Sequence, residues 1–142
     1  MVKNAYLMVQ ELKFLSLNVR GLNKTTKRRQ LFRWLHQQTS DVFFLQETYS
    51  SAQTAKLWEA EWGGKILGCH GSTHRRGVMI LFKPKLDVSI GNVIRDKHGR
   101  YIVSEAAIDD VKRILVNIYA LNDQTQQIKF LRDLSNCVLT SS

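Results

Sequence analysis

The chain has 142 residues, of which 44% are hydrophobic and 23% charged, and its formal net charge at pH 7 is +9. This composition excludes a disordered tail and is typical of one globular domain with its own core. No segment approaches the run of about 18 apolar residues that a membrane-spanning helix requires. The charge and a pI of about 9.8 favour a polyanionic partner, nucleic acid or an anionic membrane surface. A cationic protein without such a partner is the alternative.

Cysteine usage indicates an intracellular setting. The chain has two cysteines, Cys69 and Cys137, and they do not make a disulfide framework. The first residues contain no sustained apolar segment of the kind found in a signal peptide. We therefore expect a reducing compartment, either nuclear or cytoplasmic.

The first part of the chain predicts a strand, a helix and a second strand. The strands cover Lys13–Val19 and Val42–Gln46, and the helix covers Lys24–Gln38, where apolar side chains recur at helical spacing. Short connections between these elements make a βαβ unit, whose strands are parallel. The carboxyl ends of parallel strands meet at one edge of a sheet, where α/β proteins bind ligands. We therefore expect Asn18 and Glu47 to lie close together.

The remainder predicts a short helix, a run of strands and a final helix. The proline at position 84 is expected to end the second of these strands. Polar turns between the strands favour an antiparallel meander, and apolar residues recur at helical spacing from Asp123 onward. The predicted elements are a helix over Ala52–Glu61 and strands over Lys65–Cys69, Gly77–Phe82, Val88–Ile94, Tyr101–Ile108 and Lys112–Tyr119.

The polar residues at the strand ends are candidate site residues. A carboxylate such as Glu47 can hold Mg²⁺ through oxygen, although a solvated glutamate at a strand end is the alternative. Asn18 could orient a phosphate or a metal-bound water, or serve only in a turn. Tyr119 either covers the core or donates its hydroxyl to a phosphate, and Asn122 follows three residues later. The chain contains no phosphate-binding GxxxxGK[ST] loop, no GxGxxG after the first strand and no GxSxG elbow.

The first predicted helix is strongly basic. No acidic residue occurs from Gly21 to Ser40, and positive charges at a helix amino terminus cost about a few tenths of a kcal/mol each. Phosphate binding would explain this arrangement, and an ordinary solvated basic face is the alternative. The candidate nucleic-acid contacts are Arg20, Lys24, Lys27, Arg28 and Arg29, together with a second cluster formed by His74, Arg75 and Arg76.

Five motifs in order carry a family resemblance. They are LSLNVRGLNKTTKRRQLFRWL, SDVFFLQET, RRGVMILF, DKHGRYIV and ILVNIYALN. Together they resemble the first half of the endonuclease/exonuclease/phosphatase superfamily, and more narrowly the apurinic-type endonuclease domain of LINE-type, non-LTR retrotransposons. The resemblance implies an α/β fold of the sandwich type, the N-terminal half of a four-layer structure with one mixed β-sheet flanked by helices. Residues 1–142 would then be a single partial domain with its core at about 12–139.

The same resemblance implies an activity and a site. It implies a DNA-nicking phosphodiesterase that uses Mg²⁺, with Mn²⁺ as a substitute, and leaves a 3′-hydroxyl for reverse transcription. By motif, Asn18 matches the active-site asparagine, Glu47 the Mg²⁺ ligand and Tyr119 the active-site tyrosine, while Asn122 closes the last motif. Most of the family has proline where this chain has Leu121, so the turn after Tyr119 is expected to be less rigid.

Two motifs of the resembling family do not occur in these 142 residues. They are a Gly-Asp-Phe-Asn motif, which handles the nucleophilic water and the leaving group, and a Ser-Asp-His motif, which contacts the scissile phosphate. We therefore expect this chain alone to be inactive or nearly so, and its inner sheet face to be an exposed apolar patch capable of self-association. The alternatives are a non-catalytic nucleic-acid-binding α/β module and a phosphatase or phosphoesterase of the same superfamily.

Overall fold

The computed structural model describes residues 11–119 and residue 132. The predicted final helix, from Asp123 onward, and Asn122 lie outside this part of the chain. No helix within the described part is long and apolar enough to cross a membrane. The elements, in chain order, are β1 (Phe14–Asn18), α1 (Thr25–Gln37), β2 (Val42–Gln46), α2 (Ala52–Trp62), β3 (Ile66–Cys69), β4 (Val78–Phe82), β5 (Val88–Arg95), β6 (Tyr101–Ile108) and β7 (Val111–Ile118).

The first sheet has the strand order β1-β2-β4-β3. β1 and β2 are parallel, which confirms the predicted βαβ unit, and β4 pairs antiparallel with both β2 and β3. Every residue of β4 is buried, as expected for a central strand covered on both faces, and β4 ends at Phe82 before Pro84. The predicted α/β class, with a mixed sheet flanked by helices, is confirmed.

The two helices cover one face of this sheet. Phe32 and Leu35 of α1 pack with Phe43 of β2 and with Trp58 and Trp62 of α2 in a single core cluster. The ring of Trp62 also donates its indole N–H to the carbonyl of Phe82 at 2.7 Å, so α2 is fixed to the sheet by a hydrogen bond as well as by apolar contact.

A second, antiparallel sheet of β5, β6 and β7 covers the other face. Alternate residues of β6, including Ile102, Ala106 and Ile108, point toward the first sheet and are buried against its side chains. The expectation that the chain carries mainly one sheet with a bare apolar inner face is therefore wrong. Among the described residues this face is covered by the second sheet, so it is not available for the self-association that was expected of it.

The predicted meander is only partly present. It holds between β3 and β4 and among β5, β6 and β7, but it breaks between β4 and β5, because the other neighbour of β4 is β2. The chain leaves the first sheet after β4, where Pro84 cannot donate a ladder hydrogen bond, and enters the second sheet at Val88. The strand boundaries read from the sequence are right to within one residue, whereas the division into two sheets was missed.

Candidate active site and nucleic-acid surface

Asn18 and Glu47 lie at the same edge of the first sheet. The register places Asn18 opposite Gln46, one residue before Glu47. The segments that follow β1 and β2 stay paired beyond the strands, because the Gly21 amide donates to the Glu47 carbonyl at 2.6 Å. The predicted proximity of these two residues is confirmed by this pairing. The Asn18 side-chain oxygen also accepts from the Arg20 amide at 3.2 Å, which orients the exposed carboxamide at the turn.

The turn that carries Glu47 has an unusual backbone. Glu47 and Tyr49 have φ angles of 56° and 55°, in the left-handed region that side chains other than glycine avoid. The amides of Thr48 and Tyr49 donate to the carbonyls of Gly77 and Arg76 at 3.1 and 3.0 Å, which holds the turn against the start of β4. The Glu47 side chain is half-buried, and among the described residues no hydrogen bond or ion pair engages its carboxylate.

Two glycines make room for this turn. Gly21 has φ of 90°, and a Cβ there would lie 2.5 Å from the ring of Tyr49. Gly77 has φ of 88°, and a Cβ there would lie 2.5 Å from the Thr48 hydroxyl. Both positions therefore require glycine for backbone conformation and for space.

A buried asparagine, missed in the sequence, links the two sheets below the site. Asn117 of β7 is 2% exposed, and its amide donates to the carbonyls of Leu45 and Met79 at 3.0 and 2.8 Å. Its oxygen accepts from the Gln46 side chain at 2.7 Å. These bonds fix the end of β7 over the end of β2, so that Tyr119, two residues further on, lies at the same end of the molecule as Glu47.

The two basic clusters predicted from the sequence are brought together at this end. The side chain of Asn23, just before α1, donates to the carbonyls of Tyr49 and Thr73, each at 3.1 Å. This ties the start of the basic helix to the Glu47 turn and to the turn that carries His74 and Arg75. In the first cluster Arg20, Lys24 and Arg29 are exposed, as are His74 and Arg75 in the second, with Arg76 half-buried.

A surface cavity of about 280 Å³ extends the second cluster. Lys97 and His98, from the turn between β5 and β6, line it together with Arg75 and Arg76. Asp96 anchors this turn: burial opposes its charge, but hydrogen bonds from Arg100 outweigh burial and hold the pKa of Asp96 below its usual value. The contribution of Lys97 and His98 was not predicted, because the pairing of the two turns is not visible in the sequence.

Arg28 is a correction to the predicted nucleic-acid contacts. Its side chain points inward and is 6% exposed, and it forms a bidentate ion pair with Glu61 at 2.7 and 2.8 Å. It also donates to the Leu22 carbonyl at 2.9 Å and lies 5.2 Å from the ring centre of Trp58. Arg28 joins the two helices and is not available to a phosphate.

Lys27 is partly engaged as well. Its ammonium group donates to the carbonyls of Val19 and Arg20 at 2.7 and 3.1 Å. Lys27 therefore holds the loop after β1 in place, and its exposed side chain lies at the end of β1.

The described residues contain no group of three or more His, Cys, Asp or Glu side chains placed to hold a metal ion. Mg²⁺ makes a smaller demand, because it keeps several waters and binds through one or two carboxylates plus substrate phosphates. An unengaged carboxylate at a sheet edge, beside an exposed carboxamide, fits that kind of binding.

The fold is an α/β type, with a mixed sheet between helices and a second sheet. Polar side chains lie at the carboxyl ends of its parallel strands, the edge at which open α/β sheets generally bind ligands. The chain belongs to the Endonuclease/Exonuclease/phosphatase family, whose model matches residues 15–140.

Individual proteins are similar to this chain over most of its length. The Transposon TX1 uncharacterized 149 kDa protein of Xenopus laevis is 25% identical over 120 residues, which cover 84% of this chain and 9% of that protein. An AP endonuclease from Archaeoglobus fulgidus has a TM-score of 0.60 at 20% identity, covering 87% of this chain and 49% of that chain.

A 3′ phosphatase, NExo from Neisseria bound to a product DNA hairpin, has a TM-score of 0.55 at 20% identity, covering 87% of this chain and 48% of that chain. The two solved structures share the fold at low identity. This chain spans about half the length of each of them and less than a tenth of the transposon protein.

Proposed function

We propose that this chain is the N-terminal part of a divalent-metal-dependent phosphodiesterase domain related to the DNA-nicking enzymes of mobile elements, and that alone it is inactive or nearly so. One observation carries the proposal: the parallel pairing of β1 and β2 brings Asn18 and Glu47 to one edge, beside two exposed basic clusters. This edge combines two groups that phosphodiester hydrolysis requires, a carboxylate that can bind a metal ion and positive charges that can bind the phosphate.

Each residue at the edge has a distinct role in the proposal. Glu47 holds Mg²⁺, or Mn²⁺ in its place, through its carboxylate. Such an ion would supply positive charge to a phosphate oxygen. Asn18 orients the phosphate with its carboxamide, and Tyr119 donates its hydroxyl to a phosphate oxygen. Asn122, which lies outside the described residues, is assigned to the same site by its motif alone.

DNA is the proposed partner. The solved relative from Neisseria is described as bound to a product DNA hairpin, and the Xenopus relative is a transposon protein. On this chain, Arg20, Lys24 and the His74–Arg76 turn present positive charge on the side where Glu47 lies, whereas Arg29, in the second turn of α1, lies beside Glu61 of α2. A nucleic-acid backbone crossing this end would meet both clusters.

The proposed inactivity of this chain alone rests on the motifs that its 142 residues lack. The 142 residues contain neither the Gly-Asp-Phe-Asn nor the Ser-Asp-His motif that the family resemblance assigns to water activation and the scissile phosphate. Catalytic groups that act as a unit are non-additive, so losing these partners costs a factor of about 10⁴ or more in rate.

A plasmid-nicking assay tests the proposed activity. The chain is incubated with supercoiled plasmid and Mg²⁺, beside Glu47→Ala and a matched carboxylate variant, Asp110→Asn, at the opposite end of β7. We expect no nicking above that of Glu47→Ala. Robust nicking that Glu47→Ala abolishes and Asp110→Asn retains would overturn the claim of inactivity while supporting the site.

A non-catalytic nucleic-acid-binding module is the second candidate, favoured by the joining of the two basic clusters through Asn23. Fluorescence anisotropy with a labelled DNA duplex measures it. With or without catalysis, Lys24→Ala should weaken binding and lower the salt slope by about one unit, whereas Arg113→Ala, at the far end of β7, should change neither. Binding that is unaffected by Mg²⁺ and by Glu47→Ala favours the module over the phosphodiesterase.

A further inference from the structure

A chain of three polar side chains, two buried and one half-buried, lies beneath the Glu47 turn. Thr48 and Ser50 are 0% and 1% exposed, and their hydroxyl oxygens share a hydrogen bond at 2.7 Å. The Ser50 hydroxyl continues to Nδ1 of His70 at 2.8 Å. The polar chain therefore runs from the residue next to Glu47 to the end of β3.

The histidine at the base of this chain is held in place by its surroundings. His70 directly follows β3, and a Cβ on Gly68 would lie only 2.6 Å from the His70 ring, so the ring occupies space that glycine leaves open. Arg95 donates to the Gly68 carbonyl at 2.7 Å, which places its positive charge near the ring. Burial, and then the charge of Arg95, lower the pKa of His70, which keeps the ring neutral at neutral pH.

The Glu47 turn needs such support. Two non-glycine residues in the left-handed region are retained only where the surroundings over-determine the backbone. Backbone bonds to Gly77 and Arg76 fix the outer part of the turn. The polar chain fixes the inner part, because a hydroxyl buried between two partners stays satisfied only while the turn keeps this shape.

We propose that Ser50 and His70 are positioning residues, which hold the Glu47 turn in its left-handed conformation and thereby set where the Glu47 carboxylate meets a divalent cation. Neither residue belongs to the five motifs of the family resemblance. The inference rests on the proposed function, since it assigns these residues to the metal site of that function.

The test uses four variants of the full chain. Ser50→Ala removes the central hydroxyl, and Ser104→Ala is its matched control, a fully buried serine in β6 of the other sheet. His70→Gln places its amide near the position of Nε2, whereas His70→Asn places it near Nδ1, the atom that contacts Ser50. His70→Asn should therefore keep the hydrogen bond to Ser50, which His70→Gln should lose.

The first readout is Mn²⁺ affinity, measured from the electron paramagnetic resonance signal of free Mn²⁺. Supporting groups around a metal ligand typically change affinity 10- to 100-fold. We expect Ser50→Ala and His70→Gln to raise the dissociation constant about tenfold, and Ser104→Ala and His70→Asn to stay within about threefold of the parent. A merely structural role would not separate the two His70 variants in this way.

The second readout is amide hydrogen exchange, which does not depend on metal. The amides of Gly21 and Tyr49, bonded to Glu47 and Arg76, should exchange about tenfold faster in Ser50→Ala and His70→Gln, while the Phe43 amide in β2 stays unchanged.

Parent-like exchange and parent-like Mn²⁺ affinity in these two variants would overturn the inference. So would loss of the whole fold in both, or equal effects in the control variants. If Glu47→Ala leaves Mn²⁺ binding unchanged, the proposed function fails, and amide exchange alone then decides whether Ser50 and His70 position the turn.

Discussion

The ion pair between Arg28 and Glu61 should contribute strongly to stability, although its arginine stands in a basic cluster that the sequence assigns to nucleic acid. The Arg28 guanidinium is buried, bonded to both oxygens of Glu61 at 2.7 and 2.8 Å and to the Leu22 carbonyl at 2.9 Å. Breaking a buried pair from one side costs about 3–5 kcal/mol, because the remaining charge is left unpaired. That range applies to a buried remaining charge, whereas Glu61 lies at an exposed position and its carboxylate regains water, so we expect about 2 kcal/mol for Arg28→Met, mainly from the lost hydrogen bonds.

Urea unfolding followed by circular dichroism measures this cost. Arg29→Met is the matched control, since it removes the same charge from the exposed face of α1 and should change the free energy of unfolding by less than about 0.5 kcal/mol. The double variant Arg28→Met/Glu61→Gln should be more stable than the sum of its single variants predicts, because no lone carboxylate remains. A cost under about 1 kcal/mol for Arg28→Met, or one equal to that of Arg29→Met, would refute the assignment of Arg28 to the core.

Three further predictions concern the parts that hold the site together. Asn117→Ala removes three hydrogen bonds of a buried side chain, those to the Leu45 and Met79 carbonyls and to the Gln46 amide, and should cost about 2–3 kcal/mol in urea unfolding. A cost below about 0.5 kcal/mol would contradict the bridging role. Gly77→Ala should destabilise more than Gly63→Ala in the same assay, because both have positive φ but only Gly77 is crowded, by Thr48. Equal costs would show that crowding contributes nothing.

The free energy of unfolding should also fall as pH drops below 6.5, since unfolded His70 gains a proton at its usual pKa while the folded residue, whose pKa is lowered, does not. His70→Asn should flatten that slope, and an unchanged slope would contradict the lowered pKa.

The local elements were readable from the sequence because each depends on neighbouring residues. The continuous apolar run at Val42–Gln46 and the segment Tyr101–Ile108 predicted β2 and β6 with the boundaries that the structure has. The parallel pairing of β1 and β2 followed from the helix between them, and with it the meeting of Asn18 and Glu47. These inferences use contacts that the chain's own order dictates.

The partners of buried polar groups could not be read in the same way. Asn117 bonds to residues 38 and 72 positions earlier in the chain, and nothing in its neighbours indicates those contacts. Arg28 did leave a signal: it stands four residues before Phe32 and seven before Leu35, on the buried face of α1. Weighting that spacing above the charge of the cluster would have placed Arg28 in the core. The second sheet was missed because alternation in β6 shows which face is buried but not what covers it.

The most direct test of the metal site is a Mn²⁺ titration of the ¹⁵N-labelled chain followed by nuclear magnetic resonance. Paramagnetic broadening reports which amides lie near the bound ion, so the measurement locates the site without requiring activity. Low Mn²⁺ concentrations should broaden the amides of Asn18 and Glu47 first, should lose this effect in Glu47→Gln and should keep it in Asp110→Asn. Broadening that begins elsewhere, or that survives in Glu47→Gln, would contradict a metal site at this edge of the sheet.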